Sequence, residues 1–198
     1  TGSAAMVTDK LPWSQFTENY LREAVIHDLP ILGICYGHQL LAHALGGLVA
    51  YHPRGREIGT TSINLTSAAA TDLLFNDLPF SFKVNTSHMQ TVTQLPVGAT
   101  VLASNDFESH HAVHFGGRVW GVQFHPEVIH SDYGQDILVN WLQNTVGIKG
   151  DWNSESIAIR EIAKIKAIVG SRRVLCGLSG GVDSAVAAAL VQKAIGSQ

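Results

Sequence analysis

A cysteine stands between two glycines where an apolar run gives way to a helical pattern, in Ile31-Leu32-Gly33-Ile34-Cys35-Tyr36-Gly37-His38-Gln39. The run Ile31–Ile34, preceded by Pro30, reads as a short buried strand. Residues 37–45 read as a helix that Gly46-Gly47 ends. A strand that turns at once into a helix brings two backbones close together, and glycines on either side of the turning residue remove the Cβ clashes. This requires strand and helix in adjacent layers, which is α/β architecture. The helix N-terminus beside Cys35 favours the thiolate, and the N–H of Tyr36 is placed to donate to an oxyanion. A buried structural cysteine also fits the elbow taken alone.

The composition is that of a globular protein, with 45% hydrophobic and 15% charged residues among 198. Lys and Arg number 13 against 16 Asp and Glu, a net charge of −3 with no block of like charges. Binding to nucleic acid or a membrane surface through bulk charge is therefore not expected. No apolar run approaches the ~18 residues of a membrane span, and no signal peptide is recognisable. Cys35 and Cys176 lie far apart in different contexts, which argues against a disulfide framework and for a reducing, cytoplasmic setting. The ten histidines lack paired ligand spacing, so no metal is expected in the first domain. The chain starts at Thr1 rather than Met and stops after a helical pattern at Gln198, and is expected to be a piece of a longer protein.

Residues 14–28 carry Phe16, Tyr20, Leu21, Ala24 and Val25 at helical spacing. From 48 to 123 the pattern is one of short strands and polar turns, with a short helical piece near 71–75. A strand is expected over 119–124. A helix is expected over 134–146, with Ile137, Leu138, Trp141, Leu142 and Val146 on one face. Residues 148–154 read as a linker between domains at 1–147 and 155–198. The second domain is expected to open with a helix at 155–169, a strand at 173–178 and an Ala-rich helix at 184–195.

A second constellation follows a strand, in Gly121-Val122-Gln123-Phe124-His125-Pro126-Glu127. A strand end can deliver His125 to Cys35 as general base and acid, with Glu127 orienting the imidazole. The Gly-x-Cys-x-Gly-x-Gln elbow with a later His-Pro-Glu resembles the class I (triad) glutamine amidotransferase family over about residues 1–146. That resemblance implies hydrolysis of the glutamine side-chain amide through a γ-glutamyl thioester. It assigns Cys35 as nucleophile, His125 as general base and acid, and Glu127 as orienting carboxylate. By the same resemblance Gln39 contacts the substrate, and Thr1-Gly2-Ser3 matches the loop with the other oxyanion donor, here Ser3 with Ala4 in place of the usual Pro. Ser87, His88 and Met89 match the loop that meets the α-amino and α-carboxylate groups. The implied fold is a mixed, largely parallel sheet flanked by helices.

The third constellation is Ser179-Gly180-Gly181-Val182-Asp183-Ser184, between an expected strand and helix. Small residues let successive N–H groups converge on an anion at a helix N-terminus. No Gly-Lys-Ser/Thr is present, so this is not a Walker A loop. It resembles the pyrophosphate loop of N-type ATP pyrophosphatases, which implies ATP with Mg²⁺ and no bound organic cofactor. Asp183 either positions Mg²⁺ or caps the helix. A triad amidotransferase followed directly by this loop, with the junction Gly147–Trp152, resembles the GMP synthetase family. The resemblance implies synthesis of GMP from XMP, ATP and glutamine by a longer, homodimeric protein. A piece of this length is expected to make no GMP and to hydrolyse glutamine weakly or not at all.

Residues 1–118 resemble stand-alone GMP-synthase-like amidotransferases equally well, so the chain is either a divergent synthetase or a mosaic. The alternative readings are a stand-alone amidotransferase or γ-glutamyl hydrolase, and a non-catalytic module with an unreactive Cys35. The remaining polar residues have plainer expectations. His110, His111 and His114 face solvent, and His43 is structural. His130 lines the site rim in a minority reading. Arg54, Arg56 and Glu57 form a solvated turn, with contact to substrate or a partner domain as a minority reading.

Overall fold

A computed structural model describes residues 2–150 and 153–198, so Thr1 of the N-terminal loop and Asp151 and Trp152 of the junction lie outside the described residues. The chain divides into two compact units, Thr1–Gly147 and Ile148–Gln198.

In the first unit, helix α1 (Pro12–Ile26) starts with proline at its first position, where the missing N–H costs nothing. Strand β1 (Ile31–Ile34) leads through Cys35 into α2 (Tyr36–Ala44). Then come β2 (Leu48–Tyr51), β3 (Glu57–Leu65), β4 (Ser81–His88) and β5 (Gln90–Gln94). They are followed by β6 (Thr100–Ser104), β7 (Ala112–Gly116) and β8 (Val119–Val122). The short helical piece is a 3-10 turn at Ser67–Thr71, a few residues before its expected place. Helix α3 (Gly134–Asn140) widens into a π-helical turn at Trp141–Val146, where Leu142 reaches the surface instead of the buried face.

Six strands form one sheet in the order β1-β8-β7-β6-β3-β4, and β2 and β5 form a separate antiparallel ribbon. The architecture is α/β with a mixed sheet, as expected, but the sheet is not largely parallel. Among the described residues only β1 and β8 pair in parallel, and the other four pairings are antiparallel. The reason is connection length: β6, β7 and β8 follow one another through short turns, which can only reverse the chain. A long crossover separates β1 from β8. The core lies where Ile63, Val84, Leu102, Val122 and Phe124 meet Ile137 of α3. On α1 the apolar spacing does not all point inward. Phe16 and Tyr20 are exposed, while Ser14 and Glu18 are buried because they have partners. Ser14 Oγ bonds the Tyr36 hydroxyl at 2.7 Å, and Glu18 pairs with Arg22 at 3.3 Å and with His43 at 3.9 Å.

In the second unit, α4 (Ser154–Val169) packs against α5 (Val182–Ile195). The strand expected at 173–178 is not formed. The segment has no strand beside it among the described residues, and a ladder needs two.

At Gly33 the backbone of α2 lies close against β1. A Cβ there would lie 2.7 Å from the Gly37 carbonyl oxygen and 2.9 Å from the His38 nitrogen, both backbone atoms with little freedom to move. Gly33→Ala is therefore expected to destabilise the first unit by about 1–3 kcal/mol in urea unfolding. An unchanged midpoint and slope would contradict this close approach.

Candidate active site

Cys35 occupies a backbone conformation that side-chain-bearing residues rarely adopt, with φ 53° and ψ −105°. Its N–H donates to the Val122 carbonyl at 2.8 Å, continuing the β1–β8 ladder by one bond, and its own carbonyl accepts the Gln39 N–H at 3.2 Å. The elbow thus ties Cys35 both to β8 and to the first turn of α2. The N–H of Tyr36 opens that helix and has no intrahelical partner. Around the sulfur, Gln123 Nε2 donates from 3.7 Å, and the Ser87 carbonyl lies 3.8 Å away.

His125 lies three residues beyond β8. Its N–H donates to the Asn85 carbonyl at 2.9 Å, and its carbonyl accepts the Ser131 hydroxyl at 2.6 Å. Both bonds fix the backbone and leave the ring free to act. Nδ1 lies 2.7 Å from Glu127 Oε1. The hydrogen bond with Cys35 pushes the His125 pKa up to about 9, with Glu127 adding to the rise and burial opposing it. Cys35, His125 and Glu127 are thereby brought together.

A cavity of about 490 Å³ opens over the sulfur. This is the size of a small-molecule site. One wall is the loop Gly2–Met6, another is Ser87–Gln90, and Tyr36, Gln39, Arg56 and His125 complete the lining. Gly2 sits against His125: a Cβ there would be 3.3 Å from the imidazole Cε1. Ser3 lines the cavity, and its hydroxyl accepts the Ala5 N–H at 3.1 Å. Ser87 accepts a hydrogen bond from Arg56 Nη2 at 2.9 Å, and Met89 is exposed at the rim. Gln39 is buried, and its amide N–H groups go to the Gln90 carbonyl at 2.7 Å and to Gln123 Oε1 at 2.8 Å.

Several polar residues differ from the plain expectation. His111 is fully buried rather than solvent-facing, with Nε2 3.4 Å from Glu57, and His110 Nδ1 bonds the Val92 carbonyl at 2.7 Å. His114 stacks on Trp120. Glu57 is no solvated charge either. It is buried, faces His88 Nε2 at 2.9 Å and accepts from Asn105 at 2.9 Å. Burial alone would raise its carboxyl pKa, but the hydrogen bonds from His111, His88 and Asn105 outweigh it and hold the pKa below the usual carboxylate range. Arg56 reaches the cavity, the minority expectation, whereas His130 is exposed and outside the lining. Gln90 and Gln123 carried no expectation, although their place beside Ser87–Met89 and His125 was a signal. Among the described residues, no group of three or more His, Cys, Asp or Glu is arranged to hold a metal.

In the second unit, Ser179 Oγ donates to Ser184 Oγ at 3.2 Å, and Ser184 Oγ also bonds the Gly181 carbonyl at 2.9 Å. Gly180 has φ +82°, Gly181 caps α5, and Val182 and Asp183 form its first turn. Ser179 and Asp183 are exposed and Ser184 is half-buried.

The model of the family described as glutamine amidotransferase class-I matches residues 11–145. The chain belongs to this family. Residues 158–198 match the family model described as NAD synthase. The glutamine-hydrolysing GMP synthase of Leifsonia xyli is 49% identical over 173 residues, covering 86% of this chain and 34% of the relative. That of Caldicellulosiruptor saccharolyticus is 48% identical over 171 residues, covering 85% of this chain and 32% of the relative. The chain thus spans about a third of the length of the curated relatives it matches. A glutamine amidotransferase structure from Methylobacillus flagellatus superposes with a TM-score of 0.58 at 25% identity, covering 73% of this chain and 55% of that one.

In this class-I amidotransferase unit the ring of His125 should titrate near pH 9 by NMR, and Cys35→Ala should move the midpoint down toward the ordinary 6.5. The folded-state value is raised. The contribution of His125 to stability is therefore complete below pH 6.5 and lost as the pH rises through about 9. A midpoint still near 9 in Cys35→Ala would show that the sulfur is not the cause.

Proposed function

We propose that the first unit hydrolyses glutamine even in a chain of this length, against the expectation of weak or absent hydrolysis, because Cys35, His125, Glu127 and the cavity all lie within that unit. The observation that carries this reading is the placement of Cys35, on a strained elbow at the floor of the cavity, beside a His125 oriented by Glu127. The Cys35 thiolate attacks the side-chain carbonyl carbon, and the C=O electron pair moves onto oxygen. The oxyanion is met by the Tyr36 N–H and by an N–H of the loop at Ser3. His125, protonated by its pairing with the sulfur, gives its proton to the leaving nitrogen, and ammonia departs as the thioester forms. His125 then takes a proton from water as the water attacks the thioester, releasing glutamate and restoring the thiolate. Glu127 holds the ring orientation and stabilises the imidazolium.

Substrate selection follows from the cavity lining. Among the described residues that line it, Arg56 alone carries a permanent charge, and Ser87 holds it at the opening. A guanidinium there suits the α-carboxylate of glutamine. The carbonyl and amide groups of Ser87–Met89 suit the α-amino group and the side chain.

For the longer protein we propose glutamine-dependent synthesis of GMP from XMP and ATP, supported by the GMP synthase relatives and by the second unit's likeness to the NAD synthase family. Glutamine hydrolysis would supply the ammonia. The ATP pyrophosphate would sit on the loop Ser179–Ser184, where exposed N–H and hydroxyl groups at the start of α5 fit an anion. Mg²⁺ would neutralise the phosphates, and Asp183, the loop's carboxylate, fits a hard cation that keeps most of its ligands on phosphate and water. A cytoplasmic homodimer is part of this proposal. No helix among the described residues is long and apolar enough to cross a membrane.

Ammonia release from L-glutamine tests the first unit. Cys35→Ser and His125→Ala should each lower kcat by roughly 10³-fold or more. Arg56→Ala should raise KM about tenfold while changing kcat by less than about threefold, as expected for a contact made equally in ground and transition states. Hydrolysis that survives Cys35→Ser would exclude the thioester route. An unchanged KM in Arg56→Ala would remove the arginine from substrate binding.

A further inference from the structure

Gln90 is almost completely buried, at 1% exposure, yet its side-chain amide and its main-chain carbonyl bond to separate parts of the site. Its side-chain Oε1 accepts the Val7 N–H at 2.9 Å, and its Nε2 donates to Thr8 Oγ1 at 2.6 Å. Its main-chain carbonyl accepts from Gln39 Nε2 at 2.7 Å and from His88 Nδ1 at 2.9 Å. The side chain therefore holds the segment that continues the Gly2–Met6 wall. The main chain holds α2 just after the nucleophile. The Gln39 amide passes the connection on to Gln123, which donates to the Cys35 sulfur.

The wall itself has few other ties. Among the described residues, Val7 is buried against Tyr36 and Leu40, while the hydrogen bonds of Ser3 and Asp9 stay within the segment. A side chain packed on apolar neighbours sets the depth of a loop but not the direction of its N–H groups. A hydrogen bond to a buried amide sets direction as well.

We infer that Gln90 is a positioning residue that aims the loop Gly2–Thr8 at the Cys35 cavity, tying the wall that faces His125 to the elbow that carries the nucleophile. The inference rests on the glutamine-hydrolysis reading, because the loop is there assigned an oxyanion donor. Donors to an oxyanion act in the transition state, so loosening the loop should lower kcat more than it raises KM.

The test has two readouts. Backbone amide exchange, resolved by peptide, reports the pinning without any turnover. Ammonia release from glutamine reports its consequence. In Gln90→Met, exchange at residues 2–10 should quicken by roughly tenfold while residues 36–42 stay within about twofold, the signature of local opening. In the same variant kcat should fall by about 10- to 100-fold with KM within about threefold. Gln90→Glu keeps an acceptor for Val7 and for the Thr8 hydroxyl, and should recover at least about a third of the lost kcat on a log scale. Thr8→Val, on an exposed residue, removes one bond and should quicken exchange at residues 2–10 by about threefold, which keeps the test readable if Gln90→Met unfolds. Unchanged exchange at residues 2–10 in these variants would overturn the inference whatever the activity. So would faster exchange with kcat unchanged, or exchange rising equally at residues 36–42. An inactive parent chain with normal exchange differences would count against the glutamine-hydrolysis reading and leave the pinning shown.

Discussion

The site depends on the pairing of β1 with β8, and above all on its last bond, from the Cys35 N–H to the Val122 carbonyl. Parallel strands end on the same side, so the chain leaving β1 and the chain leaving β8 emerge together. One becomes the elbow and the other becomes the segment bearing His125. Sites in open α/β sheets form at the carboxyl ends of parallel strands for this reason. Although most of the sheet is antiparallel, its one parallel pair among the described residues is where Cys35 and His125 are brought together. The strain at Cys35 is sustained because that bond and the first turn of α2 over-determine the backbone on both sides.

Behind the cavity the protein buries a cluster of polar side chains. Glu57 binds His88, His111 and Asn105, and His88 links this group to Gln90 and hence to both walls of the site. A buried carboxylate is tolerated only when fully paired, and here the pairing outweighs the burial. His38, in the first turn of α2 and completely buried, also has its pKa lowered, but by burial rather than by pairing. Burial, with the neighbouring histidines adding to it, lowers its pKa to about 3, so it stays neutral beside the nucleophile. The opposite shifts of His38 and His125 have one physical origin. The first lacks a counter-charge, and the second has Cys35 and Glu127.

Local chemistry made the elbow, the His-Pro-Glu segment and the glycine loop readable, because each demands particular residues at fixed spacing. Gly33 and Gly37 announce a close backbone approach regardless of the rest of the fold. Strand direction was not readable in the same way. It depends on which strands become neighbours, and short apolar runs such as Ala112–Gly116 do not say. Glu57 reads as a surface charge because its partners, His88 and His111, are distant in sequence and only the sheet brings them together. Gln90 is hidden for the same reason, since neither Val7 nor Gln39 points to it until the chain is folded. The segment 173–178 has a strand's composition, but without a neighbour it forms no ladder.

The central claim is that Cys35 and His125 form one working nucleophile that acts on glutamine in the cavity above the sulfur. The most direct measurement is covalent labelling of the chain with a diazo-ketone analogue of glutamine, located by peptide mass spectrometry, with and without excess L-glutamine. The account predicts a single adduct on Cys35 that glutamine suppresses, that His125→Ala abolishes, and that never forms on the exposed Cys176. Labelling of Cys176 alone, or labelling of Cys35 that neither glutamine nor His125→Ala affects, would contradict it.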